Sequence, residues 1–201
     1  MSARLQYEIQ HAYSKTEQQE LCNSLKEISD KASIPVVVFP ETSVDFETFQ
    51  LIGSSFRSLS ADEFHRGFSG LQLAFIGHCG PNNREENGYN RVSVLFRGNL
   101  VWEQIKINSY NLDDEIISKN NLQRQLPKIG TGQVYTERLD LPAIPEINVV
   151  DTCYGRIMIA ICEDLNHIEP SLATAVSAGV THLIVPLLDK ELKEGRWFHV
   201  N

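Results

Sequence analysis

Basic charge is what this chain has least of: 18 lysines and arginines stand against 26 aspartates and glutamates, a formal charge of −8. That balance disfavours a nucleic-acid interface built on phosphate contacts, which needs a basic surface. Long apolar runs are also missing, and none approaches the ~18 residues of a membrane span. The opening MSARLQYEIQ has no apolar signal-peptide core. Membrane and secreted classes are therefore disfavoured, and the expected compartment is the cytoplasm. Cysteine is scarce: Cys22, Cys79, Cys153 and Cys162 are scattered and no pair forms C-x-x-C. A disulfide framework is excluded on that count, and free thiols in a reducing compartment are the simplest expectation. Internal repeats and low-complexity tracts are absent as well.

What is present is ordinary globular material, 201 residues at 42% hydrophobic, enough for one domain spanning residues 1–201 with a real core. Four short apolar runs stand out: PVVVFP (35–40), LQLAFIG (71–77), RIMIAIC (156–162) and THLIVPL (181–187). Runs this short and rich in Val and Ile are expected to be strands buried on both faces. Helical spacing appears between them. Over 16–32, Thr16 and Gln19 suggest a capping box ahead of Leu21, Leu25 and Ile28. Over 170–179, Pro170 opens a helix and Gly179 closes it. Strand and helix alternate, so the class is α/β.

Two hairpins complicate a purely parallel sheet. Residues 91–96 and 100–106 flank Arg97-Gly98-Asn99, and residues 147–151 and 156–162 flank Thr152–Gly155. The sheet is expected to be mixed. Residues 108–146 are polar and aperiodic and are expected to run over the surface.

Three residues sit where strands end. Cys162 closes a buried strand on a turn, at the rim where open α/β sheets place ligands. Turn amides there could lower its pKa and hold an oxyanion; the bland alternative is a buried structural thiol. Glu41 leaves PVVVFP and is a candidate general base, against the alternative of a charge in the first turn of the helix suggested by TSVDFETFQ. Lys106 ends LVWEQIK and could stabilise an oxyanion, although most strand lysines simply face solvent. His78-Cys79 with Cys162 and His167 make a zinc set on paper, without the close spacing of a metal motif. No metal and no organic cofactor is expected.

Glu, Lys and Cys in this order, in FPE, after the GNLVWEQ hairpin and in YGRIMIAICED, resemble the nitrilase superfamily of carbon–nitrogen hydrolases. AVSAGVTHLIVP (175–186) is similar to that family's alanine-glycine stretch before a strand ending in proline. The resemblance implies a four-layer α-β-β-α sandwich of two mixed sheets. It also implies a Glu41–Lys106–Cys162 triad that hydrolyses a small-molecule amide through a thioester. In that scheme the backbone N–H of Glu163 helps to hold the oxyanion. The family's second active-site glutamate is assigned to Glu115, near Lys106. A homo-oligomer, or membership of a longer chain, is expected, with pocket loops at 42–70, 78–90 and 107–135. The family domain continues past the strand-proline, so its C-terminal part is expected to be missing after GRWFHVN. A catalytically silent nitrilase-like scaffold module is the competing expectation.

Overall fold

A computed structural model describes residues 5–7, 13–31, 36–63, 72–79, 90–130, 132–139, 141 and 144–188. Over the described residues it is a mixed α/β structure with three sheets. The largest has the order β2-β3-β4-β5, from Val36–Val38, Leu73–Cys79, Asn90–Phe96 and Asn99–Ile105. β2 runs parallel to β3, while β3-β4 and β4-β5 are antiparallel. The second sheet orders β10 (His182–Ile184), β9 (Gly155–Ile159) and β8 (Val149–Thr152), with β10 parallel and β8 antiparallel to β9. All four apolar runs are thus strands, and both expected hairpins form.

Alternation along the strands sorts their side chains into separate clusters. On β3, Ala74 and Ile76 join the cluster that holds Cys22 and Leu25 of α1 (Lys15–Lys31) and Phe49, Ile52 and Phe56 of α2 (Phe46–Glu63). Leu73 and Phe75 face the other way, packing with Val92, Val94, Ile157, Ile159 and Ile161. Met158 on the opposite face of β9, and Ala160 just beyond the strand, meet Ala175 of the short α4 (Ala173–Ser177).

Several boundaries differ from the sequence expectation for local reasons. The α1 capping box is Ser14–Glu17 rather than Thr16–Gln19: Glu17 N–H donates to Ser14 Oγ at 3.3 Å, and Ser14 N–H to Glu17 Oε2 at 2.8 Å. Part of the expected 42–70 loop is α2, capped by Asp45, whose Oδ1 accepts from Thr48 N–H at 2.6 Å. The β4-β5 turn needs only two residues, Arg97 and Gly98, because both take positive φ, 50° and 75°. Helix α4 begins at Ala173, three residues beyond Pro170, and Gly179 (φ 66°) follows its C-cap as expected.

The expected surface excursion is the largest difference. Within it lie β6 (Asn111–Leu112), α3 (Asp114–Lys119) and β7 (Tyr135–Glu137), and β7 pairs in parallel with β1 (Leu5–Tyr7). Leu112, Ile117, Ile129 and Tyr135 bury a cluster of their own. Periodicity is invisible there because the strands are only two or three residues long. Residues 80–89 of the expected 78–90 loop and the end of the chain from 189, with GRWFHVN, lie outside the described residues.

Candidate active site

Glu41 is placed by a close approach of backbones. Phe39 N–H donates to Phe75 O at 2.8 Å, which continues the β2-β3 pairing as far as the proline. Pro40 and Glu41 then cross over Gly77, where a Cβ would collide with the Pro40 carbonyl oxygen. The chain turns sharply at Thr42, whose φ is 46°, and Val44 N–H returns to Gly77 O at 3.3 Å. Glu41 therefore lies ahead of α2 rather than in its first turn, and its side chain points inward, 1% exposed.

Lys106 follows β5 and is equally buried, its N–H bound to Asn90 O at 2.9 Å. Its ammonium bridges two carboxylates, Glu41 Oε1 and Glu137 Oε2, each at 2.7 Å. Asn90 spans the same two acids, its Nδ2 donating to Glu41 Oε1 at 2.7 Å and Glu137 Oε1 at 2.8 Å. The Tyr110 N–H adds a further donor to Glu137 Oε2, at 3.1 Å. With both acids ionised, two negative charges face one positive charge in a site of low dielectric. Burial alone would lower the Lys106 pKa, but Glu41 and Glu137 together overcome it, and the ammonium is held charged.

The acid on Lys106 is thus Glu137, not Glu115. Glu115 sits on the exposed face of α3. Glu137 arrives from β7, whose register with β1 sets it opposite Tyr7. Burial raises the Tyr7 phenol, and Glu137 and Glu41 raise it further. The one available signal was the alternation Tyr135-Thr136-Glu137, buried at its first and last residues. Three residues are too few for a period to register.

Cys162 opens a tight 3₁₀ turn, Cys162–Asn166, with φ 49°. Positive φ in a residue with a Cβ is strained backbone, and such strain gathers at functional turns. Cys162 N–H donates to Pro186 O at 3.1 Å, which carries the β9-β10 pairing one step past the strands. Burial, and after it the charge of the Glu41 carboxylate, pushes the Cys162 thiol up to about 12, although Lys106 and the Leu188 N–H pull the other way. The turn amides therefore do not produce a resting thiolate, contrary to the sequence expectation. Desolvation and the Glu41 carboxylate outweigh them.

Asp164, two residues on, is 2% exposed and binds four donors: the N–H groups of Ile107, Asn108 and Ile161 and the Asn108 side-chain amide. Burial raises its pKa, and these donors oppose the rise. The effect is to lock the segment after Lys106 onto the cysteine turn. Glu163 turns its side chain to Asn166 Nδ2 at 3.1 Å and to His167 Nε2 at 3.6 Å. Its backbone N–H is the second of the turn and so lies outside the turn's own i→i+3 ladder.

The residues of the paper zinc set are dispersed. His78 stacks on Phe49 with ring centroids 4.3 Å apart and meets Ser93 Oγ at 2.7 Å, while His167 is exposed beside Glu163. Among the described residues no three His, Cys, Asp or Glu side chains are grouped to hold a metal. Trp102 is a core residue, edge-on to Phe75. Among the described residues, too, no helix is long and apolar enough to cross a membrane.

Comparison with known proteins finds no matching family model and no matching curated protein sequence. Solved structures do match. A glutamine-dependent NAD+ synthetase from Acinetobacter baumannii, in complex with ADP, superposes with a TM-score of 0.53 at 16% identity, covering 91% of this chain and 31% of that one. A variant of the Nesterenkonia AN1 amidase from the nitrilase superfamily gives 0.54 at 13% identity, covering 90% of this chain and 63% of that one. A second variant of that amidase, with acrylamide added to its active site cysteine by Michael addition, gives 0.54 at 12% identity and covers 90% and 65%. The chain therefore spans under a third of the synthetase and less than two thirds of the amidase. At these identities the likeness establishes the fold.

Proposed function

We propose that this chain, which has the fold of the nitrilase superfamily, hydrolyses a non-peptide carbon–nitrogen bond in a small-molecule amide. One observation carries the proposal. The Glu41 carboxylate binds the Lys106 ammonium at 2.7 Å, and the charges of both act on the Cys162 thiol. A base, a cation and a nucleophile are thereby joined in one cluster.

The chemistry follows from that joining. Glu41 takes the Cys162 proton as the sulfur attacks the substrate carbonyl carbon, so no free thiolate has to exist at rest. Negative charge moves to the carbonyl oxygen, where Lys106 and the Glu163 N–H hold it. Collapse of the tetrahedral intermediate breaks the C–N bond, and the protonated Glu41 passes its proton to the leaving nitrogen. Water, deprotonated by Glu41, then attacks the thioester; the acid departs and the thiol is restored. Glu137 and Asn90 keep Lys106 and Glu41 in place. The reading includes a four-layer α-β-β-α sandwich, supported by the separate apolar clusters on either face of β3 and β9.

The test is amide turnover by the full chain, read as ammonia release from short aliphatic amides, with hydroxylamine to trap the thioester. Cys162→Ala and Glu41→Gln should each lower kcat/KM by about 10³-fold or more. A folded chain that releases no ammonia from any amide and traps no acyl group would leave the silent scaffold module in its place.

A further inference from the structure

The segment after β10 reaches back into the site. Cys162 N–H binds Pro186 O at 3.1 Å, and two residues later Leu188 N–H donates to Glu41 Oε2 at 3.2 Å. The Leu188 side chain itself is 54% exposed, so the residue meets the site through its backbone. The two Glu41 oxygens are used differently. Oε1 takes Lys106 and Asn90, two short contacts from side chains that also hold Glu137. Oε2 takes only the longer Leu188 bond among the contacts to described residues. The same N–H also draws the Cys162 thiol down against its burial.

We infer that the backbone N–H of Leu188 is a positioning donor shared between Glu41 and Cys162, following the negative charge from carboxylate to sulfur as the proton moves the opposite way. The inference rests on the amide-hydrolase reading and adds a group to it. When Glu41 is ionised, the N–H steadies Oε2. Once Oε2 carries the proton, that oxygen is a poor acceptor and the N–H is released to the sulfur, now the anion. The transfer thus exchanges one charge-assisted hydrogen bond for another rather than losing one. Lys106 remains between Glu41 and Glu137 throughout, and burial together with these carboxylates keeps the nearby Tyr7 phenol neutral.

The experiment removes one hydrogen. Replacing the amide between Leu187 and Leu188 by an ester deletes the N–H and keeps the side chain; Leu188→Pro deletes it genetically, in case the ester chain folds poorly. Leu188→Ala, which keeps the N–H, controls for the side chain. Two signals are read: the infrared S–H stretch of Cys162, identified by its loss in Cys162→Ala, and the acid limb of kcat/KM. With one donor gone, the carboxylate holds the thiol proton more strongly. The S–H band should move to lower wavenumber in the ester and proline chains and stay in place in Leu188→Ala. The acid limb should move up by about half a pH unit, about threefold in the apparent acid constant, and kcat should fall more than KM rises. A merely structural role would lower activity evenly across pH without moving the limb. An unmoved band and limb in a chain whose unmodified form turns over amides overturns this inference and leaves the hydrolase reading intact. Absence of turnover in the unmodified chain overturns the reaction, and with it the role of the Leu188 N–H.

Discussion

The Lys106–Glu41 pair and the Arg156–Asp151 pair both close to an N–O distance of 2.7 Å, but they do different things. Lys106 and Glu41 are 1% and 2% exposed at their side chains, and a second acid, Glu137, shares the lysine. Arg156 and Asp151 are 43% and 72% exposed and clasp across the β8-β9 hairpin. In the buried cluster neither sign of charge can reach water, so every proton and every donor counts against desolvation. At the hairpin, water and salt screen the pair, and its two parallel N–O contacts mainly fix where the arginine points. Equal distances carry unequal consequences because the surroundings differ.

Cutting the buried pair should therefore give the largest effect. Lys106→Met leaves Glu41 and Glu137 buried without their cation, which costs on the order of 3–5 kcal/mol. Thermal unfolding should fall by roughly 10 °C for a chain of this size, and amide turnover should vanish. The comparison sharpens with a second change: adding Glu137→Gln removes one of the uncompensated charges, and part of the lost stability should return while turnover does not. A Lys106→Met chain as stable as the unmodified one would show that the cluster is not closed to water.

Much of this cluster was legible in the sequence, for a definable reason. Glu41 follows the apolar run PVVVFP, Cys162 ends RIMIAIC and Lys106 ends the second strand of a hairpin, so each marks the end of a strand, and their order with the surrounding motifs carried the family resemblance. Glu137 and Asn90 were not legible. Glu137 lies on a three-residue strand inside a polar stretch, and Asn90 precedes Arg91-Val92, where it looks like the tail of a solvated loop. Asp164 was visible as a neighbour of Cys162, but its role depends on Ile107 and Asn108, 57 and 56 positions away. The state of the thiol was not legible either, because local turn amides can be read from sequence, whereas burial beside a carboxylate 121 positions away cannot.

His78 gives the next effect in size, through pH. Burial lowers its imidazole from 6.5 to about 4, with the Cys79 carbonyl opposing the shift. The unfolded chain takes up a proton near 6.5 that the folded chain refuses until about 4. Between those values the unfolded state binds more protons, so stability rises with pH. The contribution is whole above pH 6.5 and is lost as pH falls toward 4, about 3 kcal/mol over the window. Urea midpoints measured at pH 7 and pH 4.5 should separate clearly for the unmodified chain and draw together in His78→Gln. An unchanged separation would place the acid sensitivity in the Glu41 cluster instead.

The smallest effect belongs to the exposed pair. Asp151 is held below the ordinary carboxylate range by the Arg156 hydrogen bonds, yet both groups stand in solvent, and exposed pairs contribute little. Arg156 also has a partner of its own in the hairpin's neighbourhood, donating Nη1 to Ala178 O at 2.6 Å, so it stays seated when the acid is lost. Asp151→Asn should leave the urea midpoint at neutral pH within replicate scatter. Any small loss should disappear in 0.5 M salt, where the screening length falls to only a few ångström. Turnover should be untouched, since β8 and its turn supply no group to the Glu41–Lys106–Cys162 cluster. A loss that persists in salt would mean that the β8-β9 hairpin depends on the clasp for its register. Strain from the hairpin would then pass along β9 to the Cys162 turn, and the two pairs would be coupled rather than merely alike in length.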